Sequence, residues 1–318
     1  MRRMLFVRPV LLLIILFTGA PMRGHADASR QRESIAHLIT SQHYVTRIGD
    51  DGSVLLTNRW HSITLYPNAR RLLFNNVTLF MNGPFSATEA GWTLTRNDMH
   101  HLLAPLLRRA PAQGGITNAV VLLDPGHGGE DSGTASADNL HEKQLVLDIA
   151  QRTRTRLDAV GVRTILTRDD DTFRPLKDRA LQAAACGASA FISIHLNGSR
   201  STTARGVETY VLPATGFPST SNGTQGTTSH FGNRNDVRNN LLGYHVHRSL
   251  LTQTGAADRG LRRARYEVLK HAACPAVLVE CGFLSHPGEA QRLATPDYRE
   301  RLAEGLARGI VSYLASPR

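Results

Sequence analysis

Three apolar, strand-like runs of the chain each lead into one ionisable side chain. These residues are His127, His195 and Glu280. Runs of Val, Leu and Ile of this length are typical of strands that are buried on both faces of a parallel sheet. A buried ionisable group is costly unless it is paired or bound to a metal. One such residue alone would be interpreted as a satisfied core group, but three at equivalent strand ends favour a shared site, at the edge where open α/β sheets bind ligands.

Glu142 is a fourth candidate for the same site. It lies near the start of residues 141–160, whose apolar side chains recur at helical spacing, so it falls in the first turn of the helix after the first buried strand. Two interpretations of Glu142 stay open. It is either a carboxylate that complements the helix dipole or a metal ligand that reaches the same sheet edge as His127.

Residues from about 118 to 315 resemble the zinc-dependent N-acetylmuramoyl-L-alanine amidases of bacterial cell walls. The matching segments follow the order of that family: Leu-Asp-Pro-Gly-His-Gly-Gly-Glu-Asp-Ser-Gly at 123–133, Glu-Lys-Gln-Leu-Val-Leu-Asp-Ile-Ala at 142–150, Thr-Arg-Asp-Asp at 167–170, Ser-Ile-His-Leu-Asn at 193–197, Asp-Arg-Gly at 258–260 and Pro-Ala-Val-Leu-Val-Glu-Cys-Gly-Phe-Leu at 275–284. The resemblance implies that one zinc ion per catalytic domain is bound by His127, Glu142 and His195. It also implies that Glu280 is the catalytic carboxylate.

The residue types suit that chemistry. A catalytic zinc takes three nitrogen or oxygen ligands and keeps a fourth position open, and two histidines with one glutamate are such a set. A carboxylate beside the attacking water can take its proton and pass it to the leaving amine. The resemblance implies hydrolysis of the amide between N-acetylmuramic acid and the first L-alanine of peptidoglycan stem peptides. A zinc peptidase that cuts peptide crosslinks and a non-catalytic wall-binding protein remain alternatives.

The order of strand-like and helical segments predicts the fold. Their alternation through residues 117–318 predicts an α/β catalytic domain with a mostly parallel, twisted sheet and helices on both faces. Residues 27–112 predict a small α+β domain that faintly resembles the N-terminal domain of copper amine oxidases. We expect this domain to target the wall or a partner, or to act as a spacer, and we expect its His61 to be a surface residue.

Residues 1–26 predict a secretory signal peptide. They combine arginines, an apolar run at 10–17 and a small-x-small cleavage site at 24–26. The apolar run is short for a bilayer span, although an uncleaved anchor is the alternative. The expectation is a periplasmic or secreted protein of the cell envelope without stable membrane insertion after cleavage.

The charge and the cysteines narrow the range of partners. The net charge is +11, and four of the positive charges lie in residues 1–26. A basic secreted protein is attracted to anionic envelope polymers. A basic stripe interleaved with aromatic residues would indicate binding to nucleic acid, and the sequence contains no such stripe. The three cysteines are an odd number, which argues against a disulfide framework. Peptidoglycan is the expected partner, and any activator protein is unknown.

Several further residues are candidates for supporting roles. Arg168, Arg179 and Asn197 could position substrate, but structural roles are favoured, and Asp131 could orient a metal ligand from behind. Residues 213–235 are rich in Ser, Thr, Gly and Asn and predict a flexible loop. Some members of the resembled family carry an inserted helix near here whose acid plugs the zinc. This segment contains no glutamate, so we expect no such plug.

Overall fold

The computed structural model describes residues 31–88, 91–108, 116, 118–220, 223 and 226–316. The predicted signal peptide, residues 1–26, lies outside the described residues. Among the helices that are described, none has the length and apolar character needed to cross a membrane.

The N-terminal part is built mainly of short strands. Its elements are β1 (Arg32–Ser34), α1 (Ala36–Ser41), β2 (Val45–Ile48), β3 (Val54–Thr57), β4 (Ser62–Leu65), β5 (Arg71–Phe74), β6 (Val77–Phe80), β7 (Ser86–Thr88), β8 (Gly91–Thr95) and, after a π-helical turn at Asp98–Leu103, α2 (Ala104–Leu107). Strands β3 to β6 alternate buried and less buried residues, as expected for a sheet with one face on the core.

The C-terminal part alternates strands and helices. Its elements are β9 (Val120–Pro125), α3 (Glu142–Asp158), β10 (Arg163–Leu166), α4 (Leu176–Ala185), β11 (Ala190–Asn197), β12 (Val207–Val211), α5 (Asp236–Thr254), β13 (Asp258–Arg263), α6 (Glu267–His271), β14 (Ala276–Phe283), α7 (Pro287–Ala294) and α8 (Pro296–Leu314). Helix α5 ends at Gly255, whose φ of 62° gives the left-handed cap that glycine favours.

Eleven strands of the described chain form one mixed sheet. Their order is β10-β9-β11-β14-β12-β13-β6-β5-β4-β3-β2, and β1, β8 and β7 form a separate small sheet. In the C-terminal part the neighbouring strands pair in parallel except for β12 and β14. The prediction of an α/β fold with a mostly parallel sheet is therefore confirmed for this part, whereas β2 to β6 pair antiparallel.

The central strands are buried on both faces. Along β9, Val121 and Leu123 belong to a core cluster that includes residues of α3, α5 and α8. Leu122, between them, belongs to a second cluster with residues of α4 and α6. Because successive side chains of a strand point to opposite faces, this double burial explains the continuous apolar runs in the sequence.

Strand β6 joins the N-terminal strands to the C-terminal sheet. Its Leu79 pairs with Leu261 of β13, and the Thr78 N–H donates to Asp258 Oδ2 over 2.7 Å. Arg263, which is 1% exposed, donates from Nε to the Phe80 carbonyl over 2.9 Å. The two parts thus share one sheet among the described residues. The division into domains at 27–112 and 117–318 stays a prediction.

Candidate active site

His127, Glu142 and His195 converge at one edge of the sheet. A ligand-type atom from each lies within 4.8 Å of those from the other two. Glu142 Oε1 lies 3.1 Å from His127 Nε2 and 2.9 Å from His195 Nδ1. The imidazole rings are 4.9 Å apart between centroids and nearly perpendicular, at 82°. The three predicted metal ligands, which are distant from one another in the sequence, are therefore neighbours in space.

Parallel strand ends and a helix start create this convergence. His127 follows the end of β9, and His195 lies near the end of β11, which pairs with β9. Strands β11 and β14 pair in the register that sets His195 beside Glu280. Glu142 is the first residue of α3, so it comes back to the edge at which β9 ends.

Two glycines leave room for the ligand side chains. A Cβ on Gly126 would lie 2.2 Å from His195 Cε1, and one on Gly133 would lie 2.6 Å from Glu142 Oε2. Any larger residue at Gly126 would displace His195, and any larger residue at Gly133 would displace Glu142. His127 itself has a φ of 61°, in the left-handed region. That backbone costs about 1–3 kcal/mol and persists only where surrounding contacts impose it.

Two buried arginines supply those contacts. Arg179 Nη2 donates to the His127 carbonyl over 2.7 Å, and its Nη1 pairs with Asp124 Oδ1 at 3.0 Å. Arg168 Nη2 donates to the Gly126 carbonyl over 2.7 Å, and its Nε to that of Pro125 over 3.0 Å. Each arginine is 2% exposed. Both hold the turn that carries His127, so they have the structural role that the sequence favoured over substrate contact.

Neighbouring groups fix the orientation of His127 and Glu142. Asp131 Oδ2 lies 2.8 Å from His127 Nδ1, so Nε2 of that ring is the atom that faces Glu142. The Thr134 N–H donates to Glu142 Oε2 over 2.8 Å, and the Leu196 N–H donates to Oε1 over 2.9 Å. Asp131 thus stands behind a candidate ligand, in the position that carboxylates take behind metal-binding histidines.

The electrostatics favour an ionised Glu142. Burial alone would raise its pKa, but the hydrogen bonds and charges of His127 and His195 outweigh burial and hold the pKa below its usual value. Burial would likewise lower the pKa of His127, yet the hydrogen bonds and charges of Glu142 and Asp131 outweigh it, and this pKa is raised. Glu142 is therefore a carboxylate at neutral pH, which is the form that binds metal.

Glu280 borders the same cleft, which has a volume of about 630 Å³. Its Oε2 is buried and has no hydrogen-bond partner among the described residues. Burial, followed by the negative charges of Glu142 and Glu208, raises the pKa of the Glu280 carboxyl well above its usual value. Glu280 is thus a carboxyl that the protein itself leaves partly unsatisfied at the cleft.

Glu208, opposite Glu280 in the register of β12 and β14, is satisfied instead. Asn197 Nδ2 donates to Glu208 Oε2 over 2.9 Å, Tyr210 OH to the same atom over 2.7 Å, and Arg259 Nε to Oε1 over 2.8 Å. Asn197, considered from the sequence as a possible substrate contact, therefore has a protein partner. Neither Glu208 nor Asp124 is among the candidates predicted from the sequence, although a carboxylate inside a buried apolar run indicates a paired residue.

The donor set of the cleft matches the requirements of a catalytic zinc ion. Two imidazole nitrogens and one carboxylate oxygen are a set that catalytic zinc uses, and the cleft leaves their open side accessible. The carboxylate is ionised, and the histidine that pairs with Asp131 has its orientation fixed, as metal ligation requires. The residues present fit the ion.

The segment 213–235 contacts the N-terminal part and, through its turn at Phe231–Asn235, helix α6. Arg70 of the N-terminal part donates to the carbonyls of Pro218 and Ser219, and Phe217 is 5% exposed. No described residue of 213–235 lines the cleft. The expectation that this segment does not plug the site stays a prediction.

Similarity to known proteins identifies the family of the chain. Residues 121–312, more than half of the chain, match the family model described as N-acetylmuramoyl-L-alanine amidase. The chain belongs to this family. It is 34% identical over 198 residues to N-acetylmuramoyl-L-alanine amidase LytC of Bacillus subtilis strain 168, covering 62% of this chain and 36% of the relative. It is also 34% identical over 219 residues to N-acetylmuramoyl-L-alanine amidase AmiC of Neisseria meningitidis serogroup B, covering 61% and 52%.

A solved structure is similar over the same region. The crystal structure of N-acetylmuramoyl-L-alanine amidase from Clostridium difficile 630 is 35% identical, with a TM-score of 0.53, and covers 63% of this chain and 98% of that chain. The chain spans roughly a third to a half of the length of the first two curated relatives. Membership in the amidase family therefore rests on the C-terminal part, which carries all four candidate residues.

Proposed function

We propose that this protein is a zinc-dependent N-acetylmuramoyl-L-alanine amidase that hydrolyses the amide between N-acetylmuramic acid and L-alanine of peptidoglycan. The observation that carries the proposal is one cleft that joins His127, Glu142 and His195 to Glu280, a carboxyl with a buried oxygen that lacks a protein partner. The family match supports the bond and the substrate. A wall-binding protein without catalysis would have no need for this combination.

The chain's own residues divide the work. His127, Glu142 and His195 would hold one zinc ion, which when bound supplies Lewis-acid polarisation of the amide carbonyl. Glu280 takes a proton from the attacking water and delivers it to the departing amine of L-alanine. Its Oε2 is available for this proton because no described residue holds that atom. Asp131 keeps the His127 ring oriented, and Arg168 and Arg179 keep its turn in place.

Localisation and partners are also part of the proposal. An enzyme that acts on peptidoglycan must reach the envelope, so we propose a periplasmic or secreted protein whose residues 1–26 are a removed signal peptide. We also propose that the protein is not stably inserted in a membrane after cleavage and that it does not bind nucleic acid. Peptidoglycan is the proposed partner, and no activator protein is proposed.

Product analysis tests the function. Purified protein is incubated with sacculi and with soluble disaccharide-peptides, with and without a divalent-metal chelator, and the products are identified by mass spectrometry. The proposal expects free stem peptides that begin with L-alanine, formation of which stops with the chelator and returns with zinc. Cut crosslinks with intact muramoyl amides would instead show a zinc peptidase. Binding to sacculi without any cleavage, in protein that contains zinc, would show a wall-binding protein.

A further inference from the structure

A second concave site lies where the N-terminal strands meet α2, α5 and the end of α8. We call it the arginine pocket. Its volume is about 430 Å³, and its lining consists of His61, Phe74, Asn75, Pro105, Leu106, Arg108, Val237, Arg238, Leu241, Tyr244, His245, Arg248, Ser312, Ala315 and Ser316. It shares no lining residue with the catalytic cleft. It is therefore a distinct site, of a size that holds small ligands.

The lining of this pocket carries positive charge without a compensating acid. Arg108, Arg238 and Arg248 line it, and none of the described aspartates or glutamates does. None of these arginines forms an ion pair among the described residues. Burial, followed by the charge of Arg248, lowers the pKa of His245 to about 4, so this histidine is neutral at neutral pH. The net positive charge belongs to the guanidinium groups, which suit carboxylates and phosphates.

One of the arginines is held in position. Arg238 Nε donates to the Tyr313 hydroxyl over 2.9 Å, and its guanidinium lies 5.2 Å from the centroid of the Tyr313 ring. A guanidinium fixed in this way loses less conformational entropy when it binds an anion. Arg108 and Arg248 are exposed and lie at the rim.

The wall of the pocket is apolar but contains polar groups with unused bonding capacity. Phe74 and Tyr244 pack edge to face with their ring centroids 5.4 Å apart. Tyr244 is 4% exposed, and its buried hydroxyl, next to Asn75 and Arg248, makes no hydrogen bond of good geometry among the described residues. His61 Nδ1 is also buried without a partner in that part of the chain. Buried polar atoms without partners are rare in proteins and point to a missing ligand or water.

We propose that the arginine pocket binds the stem peptide of peptidoglycan at a second, non-catalytic site. The inference rests on the proposed function, which makes peptidoglycan the substrate. Stem peptides carry free carboxylates for the arginines, methyl side chains for the apolar wall, and amide groups for the Tyr244 hydroxyl and Asn75. A phosphate polymer would match the charge but not the apolar wall, so the peptide is the occupant that the lining favours. His61, expected from the sequence to be a surface residue, is then part of a binding site.

Binding at this pocket would keep the enzyme on the wall while the cleft acts on a neighbouring strand. Two linked sites raise the effective concentration of the second one without any new contact in the cleft. The consequence is specific: loss of the pocket slows digestion of polymeric sacculi and leaves the turnover of a soluble disaccharide-peptide unchanged.

Binding of a labelled stem tetrapeptide to the full chain tests the proposal. Fluorescence anisotropy is measured with the peptide L-Ala-D-Glu-diaminopimelate-D-Ala. The variant Arg108→Gln with Arg248→Gln removes two exposed rim charges, and its matched control, Arg234→Gln with Arg301→Gln, removes two exposed arginines outside the pocket. We expect the pocket variant to weaken peptide binding at least tenfold and to slow digestion of sacculi at least fivefold. The control should stay within twofold for both.

A second variant and a mapping experiment locate the peptide. Tyr244→Phe removes only the unpartnered hydroxyl and should weaken binding about threefold. A photoreactive version of the tetrapeptide should crosslink to residues 237–248. Equal binding by the pocket variant and its control would overturn the proposal, as would crosslinks confined to the catalytic cleft.

Two further arms separate this proposal from others. If inorganic polyphosphate or phosphatidylglycerol vesicles bind through Arg108 and Arg248 while the peptide does not, the pocket serves a phosphate ligand and the proposal is wrong. Hydrolysis of the soluble disaccharide-peptide is measured in parallel. If the parent chain fails to cleave it, the proposed amidase function fails whatever the pocket binds. If cleavage is normal and the pocket variant binds peptide normally, only the second site fails.

Discussion

The two concave sites of this protein have opposite charge designs. The catalytic cleft gathers carboxylates and imidazoles, and its Glu280 has an oxygen without a hydrogen-bond partner among the described residues. The arginine pocket gathers guanidinium groups without any acid from the described part of the chain, and the hydroxyl of its Tyr244 makes no hydrogen bond of good geometry there. The comparison shows that the role of a polar atom without a hydrogen-bond partner must be inferred from the residues around it. Beside two histidines and a glutamate, such an atom indicates proton transfer next to a bound cation. Beside arginines, it indicates a binding site for an anion.

The arginines themselves divide in the same way. Arg168 and Arg179, which hold the His127 turn, are buried and donate to main-chain carbonyls, and Arg179 also donates to Asp124. Arg108 and Arg248 are exposed and form no ion pair among the described residues. Charge alone therefore does not mark a ligand site, because a guanidinium whose donors are already used has nothing left to offer a ligand.

The largest expected effect comes from the unpartnered carboxyl of the cleft. Glu280→Gln keeps the size of the side chain but removes the group that moves the proton, so we expect the rate to fall about 10²- to 10⁴-fold. Zinc content should stay near one ion per chain, since Glu280 is not in the ligand set. His127→Ala, in contrast, should lose both metal and turnover. Rates on a soluble disaccharide-peptide and elemental analysis measure the two properties.

Glu267→Gln is the matched control for this change. Glu267 also lines the cleft, but it is exposed and pairs with Lys270, so its loss should change the rate less than threefold. A near-normal rate for the Glu280→Gln enzyme would contradict the assignment of Glu280 as the base. The contrast between the two sites would then no longer rest on Glu280.

The next effect concerns stability and compares a paired arginine with unpaired ones. Arg179→Met leaves Asp124, which is fully buried, without its ionic partner and frees the His127 carbonyl. Breaking a buried ion pair from one side costs about 3–5 kcal/mol in the free energy of unfolding. Arg108→Gln with Arg248→Gln should change it by no more than about 0.5 kcal/mol per site, as is usual at exposed positions. Chemical denaturation measures both, and similar losses would show that the pocket arginines are structural.

The residues of the candidate active site could be predicted from the sequence, whereas the arginine pocket and the pairing of β6 with β13 could not. His127, His195 and Glu280 stand out because each follows an apolar run, and the pairing of β9 with β11 and of β11 with β14 brings these segments together. Glu142 was ambiguous, because a helix start suits a glutamate with or without a metal. The arginine pocket could not be predicted, because Arg108 and Arg248 come to line one pocket only through the packing of α2 against α5. The pairing of β6 with β13 was missed for a similar reason: one bridge between short strands leaves no pattern in either segment.

The smallest of the effects expected around the cleft concerns its metal affinity. Asp131→Asn keeps the shape of the side chain but replaces the carboxylate oxygen 2.8 Å from His127 Nδ1 with an amide. Loss of a carboxylate behind a ligand histidine lowers metal affinity about 10- to 100-fold. Competition with a chromogenic chelator measures the affinity, and turnover at saturating zinc should recover most of the parent value, because Asp131 positions a ligand and takes no proton in the reaction.

Asp138→Asn is the control in the same loop, since Asp138 is exposed and outside the ligand cluster, and its zinc affinity should match that of the parent chain. If Asp131→Asn bound zinc as tightly as this control, the Asp131–His127 contact would have no part in holding the ligand. The position of His127 would then depend on the strained turn and its buried arginines. In that case Arg179→Met should show a much larger loss of zinc affinity than Asp131→Asn, which the same competition assay can measure.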